Sequence, residues 1–200
     1  MIAPSELIIN PDGSCFHLHL KPEQLADKII MVGDPDRVNT VASYFDTKEC
    51  EVSSREFHTI TGTYKGKRIT TLSHGIGTDN IDIVLNELDA LANIDFASRT
   101  IKPEFRQLTM VRVGTSGGLQ PFVPVGTYVA AGKSIGFDGV LYFYAGSEEV
   151  RDKAFESELI RQLEWKLNDI KPYVVSADPS LVEQITQNDI IRRLTTCGYA

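Results

Sequence analysis

The chain has 200 residues, 42% of them hydrophobic and 24% charged, a balance that suits a folded globular protein and excludes a low-complexity or disordered one. Its formal charge of −7 argues against a general nucleic-acid surface, which needs a cationic face to displace counterions. A small anionic ligand stays open, because a few arginines focused in a cleft outweigh a negative total locally.

No run of about 18 apolar residues reads as a membrane span. The opening residues, with Pro4, Pro11, Asp12 and Gly13, form no secretory core. Cys15, Cys50 and Cys197 lie far apart, without CxxC or zinc-ligand spacing, so free thiols are expected. Together these features predict one cytoplasmic domain over residues 1–200, with no membrane or nucleic-acid partner.

Residues 1–27 read as an irregular arm ending in a polar helical turn at Pro22 to Asp27. Lys28 to Val32 is an apolar run closed by Gly33, which predicts a buried strand. The spacing of Val38, Val41, Ala42 and Phe45 predicts a helix from Asp36, capped by Asp34 or Asp36. Glu51 to Tyr64 alternates weakly, and Lys65-Gly66-Lys67 reads as a hairpin turn into Arg68 to Ser73. Thr78 to Ala92 carries an apolar stripe of Ile81, Val84, Leu85, Leu88 and Leu91, which predicts a helix capped by Thr78 or Asp79. The polar stretch from Asn93 to Leu108 reads as a surface insertion. Leu108 to Val113 predicts a second buried strand and Gly126 to Ala131 a third. Ser147 to Leu167 and Leu181 to Leu194 read as helices, and Tyr173 to Ala177 as a strand.

Strands alternating with helices predict an α/β domain with a largely parallel, covered sheet. Ligands of such sheets bind beyond the carboxyl ends of the strands. Three glycine turns fall there: Gly33-Asp34-Pro35, His74-Gly75-Ile76-Gly77 and Gly114 to Gly118. At the first, glycine lets a backbone N–H approach an oxyanion, and Arg37 follows near a helix N-terminus. The same residues equally describe a plain strand–turn–helix junction, with Asp34 capping and Arg37 solvated. At the third, Arg112 interrupts an apolar strand, where a buried guanidinium needs an anion or a carboxylate partner. Thr115 then adds a hydroxyl and an N–H. Neither turn is a Walker loop or a dinucleotide fingerprint. His58 and His74 carry no pattern and are expected only in core or polar-network roles.

Taken in order, Phe16-His17-Leu18, Val32 to Val38, Ser54 to Phe57, Gly75-Ile76-Gly77 with its helix, Val111 to Gln120 and Val125-Gly126 resemble the nucleoside phosphorylase superfamily, and within it the uridine phosphorylases. The resemblance implies a phosphorylase/hydrolase-like fold with a mixed, mostly parallel central sheet flanked by helices. It implies phosphorolysis of a nucleoside such as uridine, with inorganic phosphate as co-substrate and no organic cofactor. Gly33, Arg37, Arg112 and Thr115 would hold phosphate, Thr115 would also contact ribose, and Arg37, Arg112 and Thr115 would carry catalysis. Arg55 and His17 would act across a dimer interface, on phosphate and on the ribose, within a dimer-based homohexamer. Glu56 and Ile76 match a monovalent-cation site, with Asn80 where a serine is usual.

The arginines argue against a hydrolytic nucleosidase that uses water. The family's base-recognition segment would begin beyond Ala200, so the expectation is a chain truncated at its C-terminus. A purine nucleoside substrate, or an impaired relative that only binds phosphate or nucleoside, are the alternatives.

Overall fold

The computed structural model describes residues 1–187, which fall into two compact units, residues 1–114 and residues 115 onward. In the first unit, β1 (Lys28–Val32) is followed by helix α1 (Pro35–Ala42), then β2 (Thr47–Ser54), β3 (Phe57–Tyr64) and β4 (Lys67–Ser73). Helix α2 (Thr78–Asn93), the short strands β5 (Ile94–Asp95) and β6 (Thr100–Ile101), and β7 (Thr109–Val113) complete it. The main sheet runs β2-β3-β4-β1-β7. β1 is parallel to both β4 and β7, while β2, β3 and β4 form an antiparallel meander. The chain is thus α/β with a mixed central sheet.

Alternation along the strands explains the two cores. Ile29, Met31, Leu72 and Phe57 share one face and pack with Val84, Leu88 and Leu91 of α2. Val32 and Ile60 on the other face pack with Val38 and Ala42 of α1. Residues 1–27 are more than an irregular arm. Cys15, Leu18, Leu20 and Leu25 are fully or almost fully buried in the α2-side core.

The expected insertion forms the β5–β6 hairpin and caps α2. Lys102 Nζ donates to the carbonyls of Leu91 and Ala92, at 3.3 and 2.9 Å, where a helix C-terminus leaves its oxygens unpaired. Arg99 reaches the arm and donates to the carbonyls of Ile2, Ala3 and Leu7.

Four expectations need correction in the first unit. The stretch from Glu51 is two strands, β2 and β3, turned at Arg55 (φ +56°). Helix α2 is capped by Gly77 with no side-chain cap bond, rather than by Thr78 or Asp79. Along it, Leu85 faces outward while Glu87 lies on the buried face. Strand β7 is mostly exposed rather than buried, because among the described residues it pairs only with β1.

The second unit holds β8 (Lys133–Gly136), α3 (Ser147–Val150), α4 (Lys153–Gln162), β9 (Tyr173–Ser176) and α5 (Pro179–Thr186). β8 and β9 pair antiparallel. Gly126 to Ala131 is no continuous strand: Gly126 sits at φ +91° in a turn closed by Thr127 N–H on Pro124 O, and within the stretch only Tyr128 and Ala131 make β-bridges. The single helix expected from Ser147 is broken at Arg151, which is extended and bridges Val175. Asp152 then caps α4 by accepting from Phe155 N–H at 3.0 Å. Arg151 holds the nearly buried Glu156 through two bonds of 2.9 and 2.6 Å, and Val174 N–H adds a third. Leu181 to Thr186 is helical as expected and Gln187 is its C-cap, while the part of the expected helix from 188 to 194 lies outside the described residues.

Candidate active site at the carboxyl end of the sheet

Strands β4, β1 and β7 lie side by side and end in register, Val32 opposite both Ser73 and Val113. The next residues are Gly33, His74 and Gly114, so the first residues of the three glycine turns lie in one row along the carboxyl edge of three parallel strands. The chain departs to opposite faces there, α1 from β1 and α2 from β4, which is the switch-point geometry at which α/β sheets take ligands.

Arg112 projects from β7 on the α2 side, in register with Met31. It is exposed, contrary to the buried arginine expected, and its Nε donates to His74 Nε2 at 2.9 Å. Its guanidinium folds back over Gly114, where a Cβ would lie 2.5 Å from Nη1. A Cβ on Gly33 would meet His74 Cε1 at 3.7 Å and Gly75 O at 3.9 Å, which are ordinary contacts. The fold therefore does not itself demand glycine at 33.

His74 is 4% exposed, and its Nδ1 is buried without a hydrogen-bond partner in the described structure. Burial, and then the Arg112 charge beside it, push its ring below the ordinary imidazole value, so it is neutral near pH 7. His74 was expected in a generic polar role. Only its contact with an arginine 38 residues away reveals its place.

The N-terminus of α1 is closed to a ligand. Asp34 Oδ1 accepts from Asp36 N–H at 2.9 Å, Asp34 O accepts from Arg37 N–H at 3.1 Å, and Pro35 has no N–H. The Asp34 cap of the plain-junction reading is observed, and it leaves open what the Arg37 side chain holds. Arg37 lies one turn into the helix and is exposed, with no partner for its guanidinium among the described residues. Any anion here must use side-chain charge and glycine backbone, not the helix dipole.

Arg55, at the β2–β3 turn, lies over the Phe16 ring at 5.7 Å, and Phe16 meets the His17 ring edge-on at 4.8 Å. His17 Nδ1 contacts Glu87 Oε1 at 2.6 Å. The same carboxylate accepts the backbone N–H groups of His17 and Leu18. Arg55 and His17, assigned to a neighbouring subunit's site by resemblance, thus sit in one cluster. Glu87 was missed, although a lone carboxylate on the stripe of Val84, Leu88 and Leu91 was its sequence signal.

Glu56 and Ile76 test the fit of a cation. Asn80 Nδ2 donates to Ile76 O at 3.1 Å, and the side chains of Asn80 and Glu56 crowd Gly75. With an amide hydrogen on that carbonyl, the set offers a cation little beyond the Glu56 carboxylate. The fit is poor, and no step below depends on one. Among the described residues no cluster of three His, Cys, Asp or Glu side chains could hold a metal ion, and no helix is long and apolar enough to cross a membrane. Thr115 is exposed and opens the second unit. Two open concavities, about 290 and 270 Å³, lie away from the glycine row, one lined by Ile30, Val41, Tyr44 and Ile69, the other by Leu85, Phe105 and Met110.

The chain is thus an α/β protein with a mixed central sheet, and its glycine turns and Arg112 lie at the carboxyl edge of the parallel strands. Residues 27–197 match the family described as the phosphorylase superfamily, and the chain belongs to it. It is 30% identical over 137 residues to a uridine phosphorylase of Thermococcus kodakarensis, covering 68% of this chain and 44% of that protein. It is 37% identical over 116 residues to a DeoD-type purine nucleoside phosphorylase of Levilactobacillus brevis, covering 58% and 44%. A solved Trypanosoma brucei nucleoside phosphorylase with uridine phosphorylase activity matches with a TM-score of 0.78 at 34% identity, covering 90% of this chain and 61% of that one. The chain thus spans less than half the length of these two curated relatives.

Proposed function

We propose that this chain supplies the phosphate and ribose site of a nucleoside phosphorylase acting on uridine, releasing uracil and ribose 1-phosphate. The observation that carries the reading is the register of Val32, Ser73 and Val113, which sets Gly33, His74 and Gly114 in one row with Arg112 beside them. Arg37 and Arg112 hold the phosphate over Gly33, and the family pattern adds Thr115. Arg55 and His17 of the partner subunit complete the phosphate and ribose contacts in a dimer-based homohexamer. Their clustering through Phe16 supports a common destination.

In this mechanism the glycosidic bond stretches toward an oxocarbenium-like ribose, as in glycoside cleavage. The arginines place a phosphate oxygen beside the anomeric carbon, and the anion stabilises the developing positive charge. Phosphate attacks that carbon, and the base leaves with the bonding pair. No metal or organic cofactor enters these steps.

The test is loss of uridine with and without phosphate, inosine run in parallel. Uridine loss only with phosphate, yielding ribose 1-phosphate, supports the reading. Phosphate-independent loss, or loss of neither nucleoside, counts against it. A purine substrate is the second reading, favoured by the similarity to DeoD-type purine nucleoside phosphorylases, and preferential loss of inosine would establish it.

A further inference from the structure

We infer that His74 is the positioning residue for Arg112, its Nε2 fixing the guanidinium so that the terminal nitrogens face the anion. This rests on the phosphate-site reading above.

The geometry spans three strands. His74 follows β4 and extends its ladder, its backbone N–H donating to Val32 O at 2.9 Å. Arg112 stands on β7, on the other side of β1, and the two side chains still meet at 2.9 Å. Side chains alternate along a strand, so Gly33 would present a side chain on the same face as Met31, between them. A Cβ there would meet His74 Cε1 at 3.7 Å, an ordinary contact, so the His74–Arg112 bond does not require glycine at 33. Gly114 leaves room for the guanidinium, because a Cβ there would lie 2.5 Å from Nη1.

The bond also fixes the chemistry at each end. A guanidinium has five N–H donors and no acceptor, so His74 Nε2 must accept and the ring proton must sit on Nδ1. Only the Nε donor of Arg112 is engaged among the described residues, which leaves the Nη1 and Nη2 fork for a bidentate oxyanion.

A role in fold stability alone does not account for the residue. Nδ1 is buried without a partner, and an unpaired buried donor opposes folding, so packing alone would favour an apolar side chain. What the imidazole contributes is the acceptor that aims Arg112.

The experiment is calorimetric titration of the full chain with inorganic phosphate, for wild type, Arg112→Ala, His74→Leu, His74→Gln and the His74→Leu/Arg112→Ala pair. Losing a bond to a charged group predicts roughly tenfold weaker phosphate binding in His74→Leu. In His74→Gln, whose amide oxygen can accept the same bond, binding stays within about threefold. In the Arg112→Ala background, His74→Leu has no further effect. His74→Leu binding as wild type, or weakening binding equally without Arg112, overturns the proposal and leaves the site reading standing. Arg112→Ala binding as wild type, or a wild type that binds no phosphate, overturns the site reading and the proposal with it. Exchange of the Arg112 Nε proton, followed by NMR, is independent of whether His74→Leu folds. Slow exchange in wild type and His74→Gln supports the bond, and fast exchange in wild type overturns it.

Discussion

Replacing Glu87 tests how the N-terminal arm is held against α2. Glu87 is 8% exposed, and its carboxylate accepts from His17 N–H at 2.9 and 3.1 Å, from Leu18 N–H at 2.8 Å, and from His17 Nδ1 at 2.6 Å. In Glu87→Ala both backbone donors lose their acceptor together. Each unpaired buried donor costs about 1–3 kcal/mol, so the two, with the ring contact, put the loss at roughly 3–5 kcal/mol. Water can reach the His17 side chain, which is 30% exposed, so the lower end of about 3 kcal/mol is expected.

Glu87→Gln keeps one acceptor oxygen and turns an NH₂ toward a backbone N–H, for an expected loss of about 1.5–2 kcal/mol. The assay is urea unfolding followed by far-ultraviolet circular dichroism. With a slope of about 2 kcal/mol per molar, the alanine variant moves the midpoint down by roughly 1.5 M. Shifts below about 0.3 M in both variants would refute docking of the arm by this carboxylate. Equal shifts would trace the loss to packing rather than to hydrogen bonds.

Gly114→Ala places a Cβ against the flexible end of Arg112, so thermal stability should change by less than about 1 kcal/mol while phosphate affinity falls severalfold. Unchanged phosphate affinity in a titration would contradict the position given to the guanidinium. Arg99→Ala removes the bonds to the Ile2, Ala3 and Leu7 carbonyls, costing about 1–2 kcal/mol, and limited proteolysis should then cut faster near the start of the chain. An unchanged cleavage rate there would show that the hairpin does not tether the arm. For Glu156, burial pushes the carboxyl up, but the Arg151 bonds and the Val174 N–H outweigh it and hold it below its ordinary value. A depressed folded value means stability that is present above the unfolded value and lost as pH falls through the folded one. Glu156→Gln should therefore cost about 3 kcal/mol at pH 7 and flatten the acid limb of a stability–pH curve, and an unaltered limb would refute the pairing.

What the sequence disclosed depended on how local its cause was. β1 was readable to the residue because four consecutive apolar side chains end at a glycine, and the Lys65-Gly66 turn because glycine takes φ +73° without strain. The β2–β3 turn was hidden because Arg55, a residue type with no preference for positive φ, occupies its left-handed position. The break at Arg151 was hidden because its cause is the bond to Glu156, and the apolar stripe runs on through both helices. β8 was missed because Lys133-Ser134-Ile135-Gly136 has neither apolar alternation nor length, and its strand character comes from β9. At the candidate site, Gly33 announced itself by closing an apolar strand and Arg112 by interrupting one. His74 and Glu87 did not, because each acquires its role from a partner distant in the chain.

The closed cap of α1 changes how an anion must be held. If the helix N–H groups were open, a dianion could be shared between the macrodipole and one or two arginines. Asp34 takes up those N–H groups and adds a carboxylate to the same turn. His74, being neutral, orients charge without supplying any. In the proposed site the cationic side chains of this chain are then Arg37 and Arg112, and the Asp34 carboxylate offsets part of their charge. A phosphate dianion is left under-compensated by one chain alone, and a third guanidinium closes the deficit. In the proposed dimer that guanidinium is the partner's Arg55, a residue that is exposed at a turn and lies over the Phe16 ring. If the proposed phosphate site is right, dimerisation is an electrostatic requirement of it. Phosphate affinity in Arg55→Ala should fall as far as it does on dissociating the dimer, and further dilution of that variant should change nothing.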